Sequence, residues 1–413
     1  MTFQGGKKLN SEEKSSIRAQ YISMIICWLA YTSACMARFS YSANIASIEK
    51  DYNVGNASAG LVMTFFAAAY GLGQFVHGAL CMRYPRKQIV SLALFVVSLI
   101  NLSLFFGVPF GAIKYLWLVS AVFQSILWPI SLQIISENVG EKLMPKAVFL
   151  MSTTTALGTF TVYGISTVFV EINYRITFAV CAAILFAFAI IWYICYKPGH
   201  FLKTEKEEQQ NENTNGKFLY ILIPVLLLGI FSLITNFMKD GIQTFVPVIL
   251  KSISKLPDSF SMMLTLVLPL FGIFGSMLAV NLNKKIPKVI PLCLFFFGAI
   301  SFFNAVVLFF GNNIFVTVLS FGILELLLHG SSIAIVSIFP LAMRKRMSSG
   351  ALAGLLNGAA YIGTAISTYA LGKIADVSGW SAVFATLVGI SVSAFVLGGV
   401  YLVFTVKHKE LDI

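Results

Sequence analysis

The amino-acid sequence predicts an all-α polytopic membrane protein, with twelve transmembrane helices in two pseudo-symmetric six-helix bundles. Three observations predict it. Of 413 residues, 58% are hydrophobic and only 11% charged, with a mean hydropathy of +0.84, whereas soluble chains carry about 25% charge. Twelve apolar runs reach spanning length. The second half also repeats landmarks of the first at an offset of 201 residues.

The runs lie at about 19–45, 57–82, 88–108, 113–136, 146–170, 175–196, 218–249, 259–282, 289–310, 314–341, 349–372 and 379–405. With an even number of helices both termini share a side. That side carries 21 of the Lys and Arg residues and the other carries six. The bias places both termini in the cytoplasm, most simply of the plasma membrane, and accounts for the +12 charge without nucleic acid. Residues 1–18 form a polar N-terminal segment that does not read as a secretory signal. Bundles follow at 19–196 and 218–405, joined by a polar linker at 197–217 rich in Glu, Gln, Asn and Lys, and 406–413 form a tail. The six cysteines lack CxxC spacing and sit in or beside apolar runs, which excludes a disulfide framework or metal site from the expectation.

Two cations remain inside apolar runs, Arg38 and Lys239. An isolated cation there costs about 2.5–3.5 kcal/mol even on gentle insertion scales, so each needs a partner or a purpose. The repeat relates them: Arg38 lies 12 residues before Lys50, and Lys239 lies 12 before Lys251. The same offset lays Tyr163-Gly-Ile-Ser-Thr167 over Thr364-Ala-Ile-Ser-Thr368, and Phe123-Gln124…Trp128 over Leu324-Glu325…His329. Parallel repeats of this kind place a substrate site near the bilayer midplane, at their interface. Glu325 and His329 share a helix face by their i,i+4 spacing. They are candidates for proton coupling, or else a structural pair. Asp240, beside Lys239, points about 100° away on a helix, which makes direct pairing imperfect.

These stretches resemble a known family. Ala30-Tyr31 through Arg38, Tyr70-Gly71, Phe123-Gln124…Trp128-Pro129, Lys239-Asp-Gly241, Gly272-Ile-Phe-Gly275, Tyr361-Ile-Gly363 and Asp376-Val-Ser-Gly379-Trp380 are similar to the major facilitator superfamily. Within it they resemble the organophosphate:phosphate antiporters. The resemblance implies that Arg38 and Lys239 clamp a substrate phosphate from two halves, although Lys lacks the bidentate fork of Arg. Gln74 and Thr155 stand where the glycerol-3-phosphate transporter carries a lysine and a histidine. The superfamily's loop motif reads Gly78-Ala-Leu-Cys-Met82-Arg83-Tyr-Pro85-Arg86-Lys87, with Met82 in place of its acidic residue. A gate built on Arg83, Arg86 and Lys87 is therefore expected to be weakened or rebuilt elsewhere.

The sequence has no P-loop, HExxH, Ser-His-Asp arrangement or dinucleotide turn, so neither an enzyme nor a cofactor is expected. The expectation is a monomeric secondary transporter, with Gln124, Trp128, His329 and Tyr361 around the Arg38 and Lys239 cations. Its cargo is a small organic anion, a phosphorylated metabolite or a carboxylate, exchanged against inorganic phosphate. Proton symport through Glu325 and His329 is the alternative. A transporter-like receptor for a phosphorylated metabolite comes third.

Overall fold

The computed structural model describes residues 11–54, 56–197, 214–254 and 258–407. The first bundle contains α1 (Ser11–Ala43), the short α2 (Ile45–Tyr52), α3 (Asn56–Leu80) and α4 (Arg86–Phe106). A fourth span is split into α5 (Phe110–Gln124) and α6 (Leu127–Asn138), and a fifth into α7 (Met144–Ser152) and α8 (Thr154–Asn173). Helix α9 (Arg175–Cys195) completes the bundle. The second contains α10 (Thr214–Ser254), α11 (Asp258–Asn283), α12 (Val289–Phe310) and α13 (Ile314–Ile333). The tenth span continues through a π-helical turn (Ala334–Ile338) into α14 (Phe339–Ala342), and α15 (Ser349–Lys407) ends the chain.

Ten described segments are long and apolar enough to cross a membrane. The apolar stretch Leu270–Asn283 of α11 and the first leg of α15 complete the twelve-helix layout. Helix α15 serves two spans because Gly379 breaks it at φ 78°, ψ 176°, a conformation essentially confined to glycine. A loop at 373–378 was expected; one residue makes the corner instead. The polar segment 1–18 becomes helical from Ser11, its earlier residues lying outside the described ones. Most of the 197–217 linker and of the 406–413 tail also lies outside them.

Packing repeats between halves. Helix α1 packs on α8 as α10 packs on α15, α4 on α9 as α12 on α15, and α3 on α5 as α11 on α13. The halves meet mainly where α3 and α6 lie against α15, and α7 against α11. At the tightest crossing a Cβ built on Gly354 would meet the Gln74 carbonyl at 2.4 Å and the Gly78 Cα at 2.6 Å. Only glycine permits that approach, and van der Waals packing of small residues is what holds helices together in lipid.

The phenylalanines divide. Phe106, Phe309 and Phe315 are exposed outward, as a lipid-facing surface requires, while Phe66, Phe178, Phe231, Phe296 and Phe297 are fully buried in the core. All six cysteines are free, five of them buried.

Candidate functional site

Arg38 sits just over one helical turn from the end of α1 and faces the middle of α3, the last residue of α5 and the first leg of α15. It is 5% exposed. Its guanidinium carbon lies 4.2 Å from the Tyr70 ring centroid and 5.3 Å from that of Phe66. Desolvated cation–π contacts of this kind contribute up to about 2 kcal/mol and offset part of the burial cost. Nη1 donates to the Tyr361 hydroxyl across the interface at 2.7 Å, and Nε points at Gln124 Oε1 at 3.5 Å. Nη2 is buried with no acceptor among the described residues. No carboxylate among them touches this arginine.

Aromatic rings frame it. The Tyr31 and Tyr70 hydroxyls are 3.0 Å apart, Tyr31 packs on Trp128 with centroids 4.9 Å apart, and Tyr70 packs on Tyr361 at 4.6 Å. Trp128 Nε1 is a second buried donor without a protein acceptor. Gln74, anchored by Nε2 to the Ser125 carbonyl at 3.1 Å, keeps an unpartnered buried Oε1.

The second half builds a different environment around the related cation. Lys239 Nζ lies 3.5 Å from Asp240 Oδ1, and Asp240 also accepts from the Thr364 hydroxyl. The pairing is long for a charge-assisted bond, as expected for adjacent helix positions, and the four-carbon lysine stem brings the two charges within reach. Glu325, 8% exposed, is within the field of both Lys239 and Asp240. His329 shares its face, and both flank Gly272 of α11, where an added Cβ would lie 3.2 Å from the imidazole and 3.6 Å from Glu325 Oε1. The imidazole also approaches the Ser152 main chain of the opposite half. At these repeat-related positions Arg38 meets Gln124 at 3.5 Å in one half, and Glu325 lies within the field of Lys239 in the other.

Gly78 and Cys81 of the motif lie against the other half, but its basic residues do not join the halves. Arg83 is exposed, Lys87 lies 4.5 Å from the Tyr193 ring centroid, and Arg86 forms a bidentate pair with Glu137 within its own half. The missing acid at Met82 is replaced by an amide one helix away. Gln133 Oε1 accepts from Ser348 Oγ and from the Gly350 amide, both at 2.9 Å. It thereby satisfies an orphan N–H at the start of α15. Its Nε2 donates to Glu137 Oε1 at 2.7 Å. Arg344 then donates to the Val139 carbonyl at 2.9 Å, at the C-terminal end of α6 where a cation complements the helix dipole. These contacts close the face on which the described ends of the chain lie.

Sequence reasoning missed Tyr31 and Tyr70 as the arginine's aromatic frame, and Gln133 and Arg344 as polar contacts between the halves. The available signal for these contacts was polar side chains recurring in the second half of the fourth span, which membrane helices can equally use for packing.

A twelve-helix, two-bundle fold with a buried cation between the halves defines a membrane transporter architecture. The chain matches the Major Facilitator Superfamily over residues 27–353, and it belongs to that superfamily. Local similarity to the membrane sensor protein UhpC is 27% identity over 101 residues in Escherichia coli K12 and 25% over 113 residues in Salmonella typhimurium LT2. The matched stretches span 23% and 26% of those relatives and 24% and 27% of this chain. Three solved structures share the fold. The proton:xylose symporter XylE bound to 6-bromo-6-deoxy-D-glucose has TM-score 0.72 at 13% identity, over 92% of this chain and 95% of that one. FucP in the outward conformation has 0.72 at 11%, over 92% and 99%. A bacterial homologue of the iron transporter ferroportin, outward-facing, has 0.68 at 14%, over 94% and 100%.

Proposed function

We propose that this protein is a secondary active transporter of small organic anions, phosphorylated metabolites or carboxylates, working by alternating access between its two bundles. One observation carries the reading: Arg38 is buried between the halves, has no carboxylate partner among the described residues, and presents a buried Nη2 without a protein acceptor. A cation in that position binds an anion by charge-assisted hydrogen bonding in a low-dielectric site. The bound anion favours the state in which both halves contact it, and a ligand shifts an equilibrium only by such differential binding. The Lys and Arg bias supports reading the closed face as cytoplasmic, in which case the carrier is shut toward the cell interior.

Two coupling modes fit. Resemblance to the organophosphate antiporters supports exchange against inorganic phosphate. Glu325 and His329, facing Lys239 in the second half, support proton symport. Local similarity to the membrane sensor protein UhpC supports a third reading, a membrane sensor that binds without transport.

Reconstituted vesicles separate them. Uptake of labelled organic anions is measured with phosphate trapped inside or absent, and with a pH gradient imposed or collapsed. Trans-phosphate dependence identifies exchange; uptake into empty vesicles driven by the pH gradient identifies symport. Saturable binding without uptake identifies the sensor. Unchanged anion binding and uptake in Arg38→Ala would sink the anion reading altogether.

A further inference from the structure

The charges at the centre of the molecule can be summed. Among the described residues four formal charges line the central band: Arg38 on α1, Lys239 and Asp240 on α10, and Glu325 on α13, with the imidazole of His329 beside them. Lys239 is already answered by Asp240 at 3.5 Å and lies in the field of Glu325. Among the described residues Arg38 is answered by the Tyr361 hydroxyl, the Gln124 amide and two aromatic faces. With Glu325 protonated and His329 neutral the band carries a net +1; with Glu325 ionised it carries zero. The positions where the resemblance leads one to expect further basic groups hold Gln74, whose buried Oε1 is an acceptor, and Thr155, whose hydroxyl meets Cys35 at 3.7 Å.

We propose that the cargo is a monocarboxylate, bound through its single negative charge at Arg38, and that phosphate monoester dianions are excluded by the charge of the site. This deepens the anion-transport reading and rests on it. A dianion would leave at least one negative charge uncompensated out of water, the situation that low-dielectric sites reject most strongly. A carboxylate leaves none in the protonated-Glu325 state. The chemistry of the cradle agrees. A planar guanidinium fork matches a planar carboxylate. The surrounding Tyr31, Tyr70 and Trp128 rings suit an organic remainder, and Trp128 Nε1 and Gln74 Oε1 offer one donor and one acceptor to hydroxyls on it. Asp240 is the residue that sets the charge class.

The test uses the full chain in detergent at pH 8, where phosphate monoesters are dianionic because their second pKa is about 6. Thermal stabilisation is titrated with lactate, gluconate and benzoate, and with inorganic phosphate, glycerol phosphate and glucose phosphate. The expected result is that the best monocarboxylate binds at least about tenfold more tightly than any phosphate, a gap of about 1.4 kcal/mol. Its binding should be lost in Arg38→Ala. In Asp240→Asn, which adds one positive charge, the gap closes or reverses. A phosphate monoester that binds wild type more tightly than every carboxylate, and depends on Arg38, overturns the monocarboxylate proposal while leaving the anion reading standing. Stabilisation by neither panel, or stabilisation indifferent to Arg38, overturns both. Should Asp240→Asn not fold, the ranking in wild type still decides.

Discussion

Three arginines in this molecule are held in three ways. Arg86 has the carboxylate of Glu137 in bidentate contact. Arg175 donates to Asp51 at 2.7 Å on the opposite face. Arg38 has rings, a hydroxyl and an amide. The first two are answered charges with structural work, and the third is the one our proposal assigns to a ligand. Replacing Arg38 by Lys keeps the charge but discards the fork and the flat cation–π surface. We expect about a tenfold loss of affinity for the best anion, against a hundredfold loss or more in Arg38→Ala, since charge-assisted hydrogen bonds contribute about 1.5–3 kcal/mol each; titration by thermal stabilisation measures both. The Asp51 cluster behaves oppositely. The Tyr174 hydroxyl, then the Arg175 guanidinium, hold the Asp51 carboxyl below its usual range, and Tyr174 is pushed up to about 12 by burial and by that carboxylate. A depressed carboxyl stabilises the fold above the unfolded-state value near 4 and loses that contribution as pH falls through the folded value. Asp51→Asn should therefore lower the midpoint of thermal unfolding slightly at pH 7, within the range of about 0–1 kcal/mol for exposed pairs, with the difference shrinking as pH falls below the unfolded-state value near 4. An equal loss above and below that value would exclude the ionic account. Arg38 was legible in the sequence because a charge in an apolar run is costly wherever it points. Its frame of Tyr70 and Phe66 was not, because aromatic residues occur throughout this chain and only three-dimensional packing says which rings face a cation.

At the level of elements, two of the spans that contribute candidate site residues are irregular, while α1, α3 and α10 are continuous. The fourth is broken at Ser125–Ile126 between α5 and α6, next to Gln124 and Trp128. The tenth passes into a π-helical turn five residues after His329. Such turns are rare and concentrate where a helix must re-aim its side chains. Helix periodicity cannot show them, since a single extra residue in one turn leaves the apolar pattern of a fully buried segment unchanged. The corner at Gly379 is another element that composition hid: a Gly-Trp pair gave no sign that two spans would join without a loop. Its backbone conformation makes a direct prediction. Gly379→Ala should cost about 1–3 kcal/mol, read as a lower unfolding midpoint, whereas the same change at the helical and unobstructed Gly399 should be neutral or stabilising. Equal effects at the two sites would refute the corner's backbone requirement. The repeat itself was visible because it is written in polar landmarks at a constant spacing, and polar residues are scarce enough in these runs for coincidences to be few.

For the whole molecule the question is what holds one face shut, given a loop motif whose charge latch is expected to be weakened or rebuilt elsewhere. Arg83, Arg86 and Lys87 stay within their own half or in solvent. The joining is done by Gln133 against Ser348 and Gly350, and by Arg344 at the end of α6. Cys81 reports on this seam. It is buried, with its thiol 3.6 Å from Ser348 Oγ, and among the described cysteines it lies at the cross-half contact, where Cys27, Cys35, Cys181 and Cys293 are packed in bundle interiors. Opening toward the closed face must separate Cys81 from Ser348 and expose it, so its alkylation rate follows the population of the opened state. In a Cys195→Ser background, which removes the exposed thiol, a membrane-impermeant maleimide applied from that face should label Cys81 slowly. Gln133→Ala removes two cross-half hydrogen bonds and leaves an N–H of α15 without its acceptor, a loss of about 0.5–2 kcal/mol by analogy with helix caps. At 1–2 kcal/mol the opened population rises by a factor of about 5–30, and labelling should accelerate accordingly, while Arg83→Ala should leave it unchanged. A ligand that stabilises the closed face would slow labelling in both backgrounds. Acceleration by Arg83→Ala and none by Gln133→Ala would return the gate to the motif loop and remove Gln133 from it.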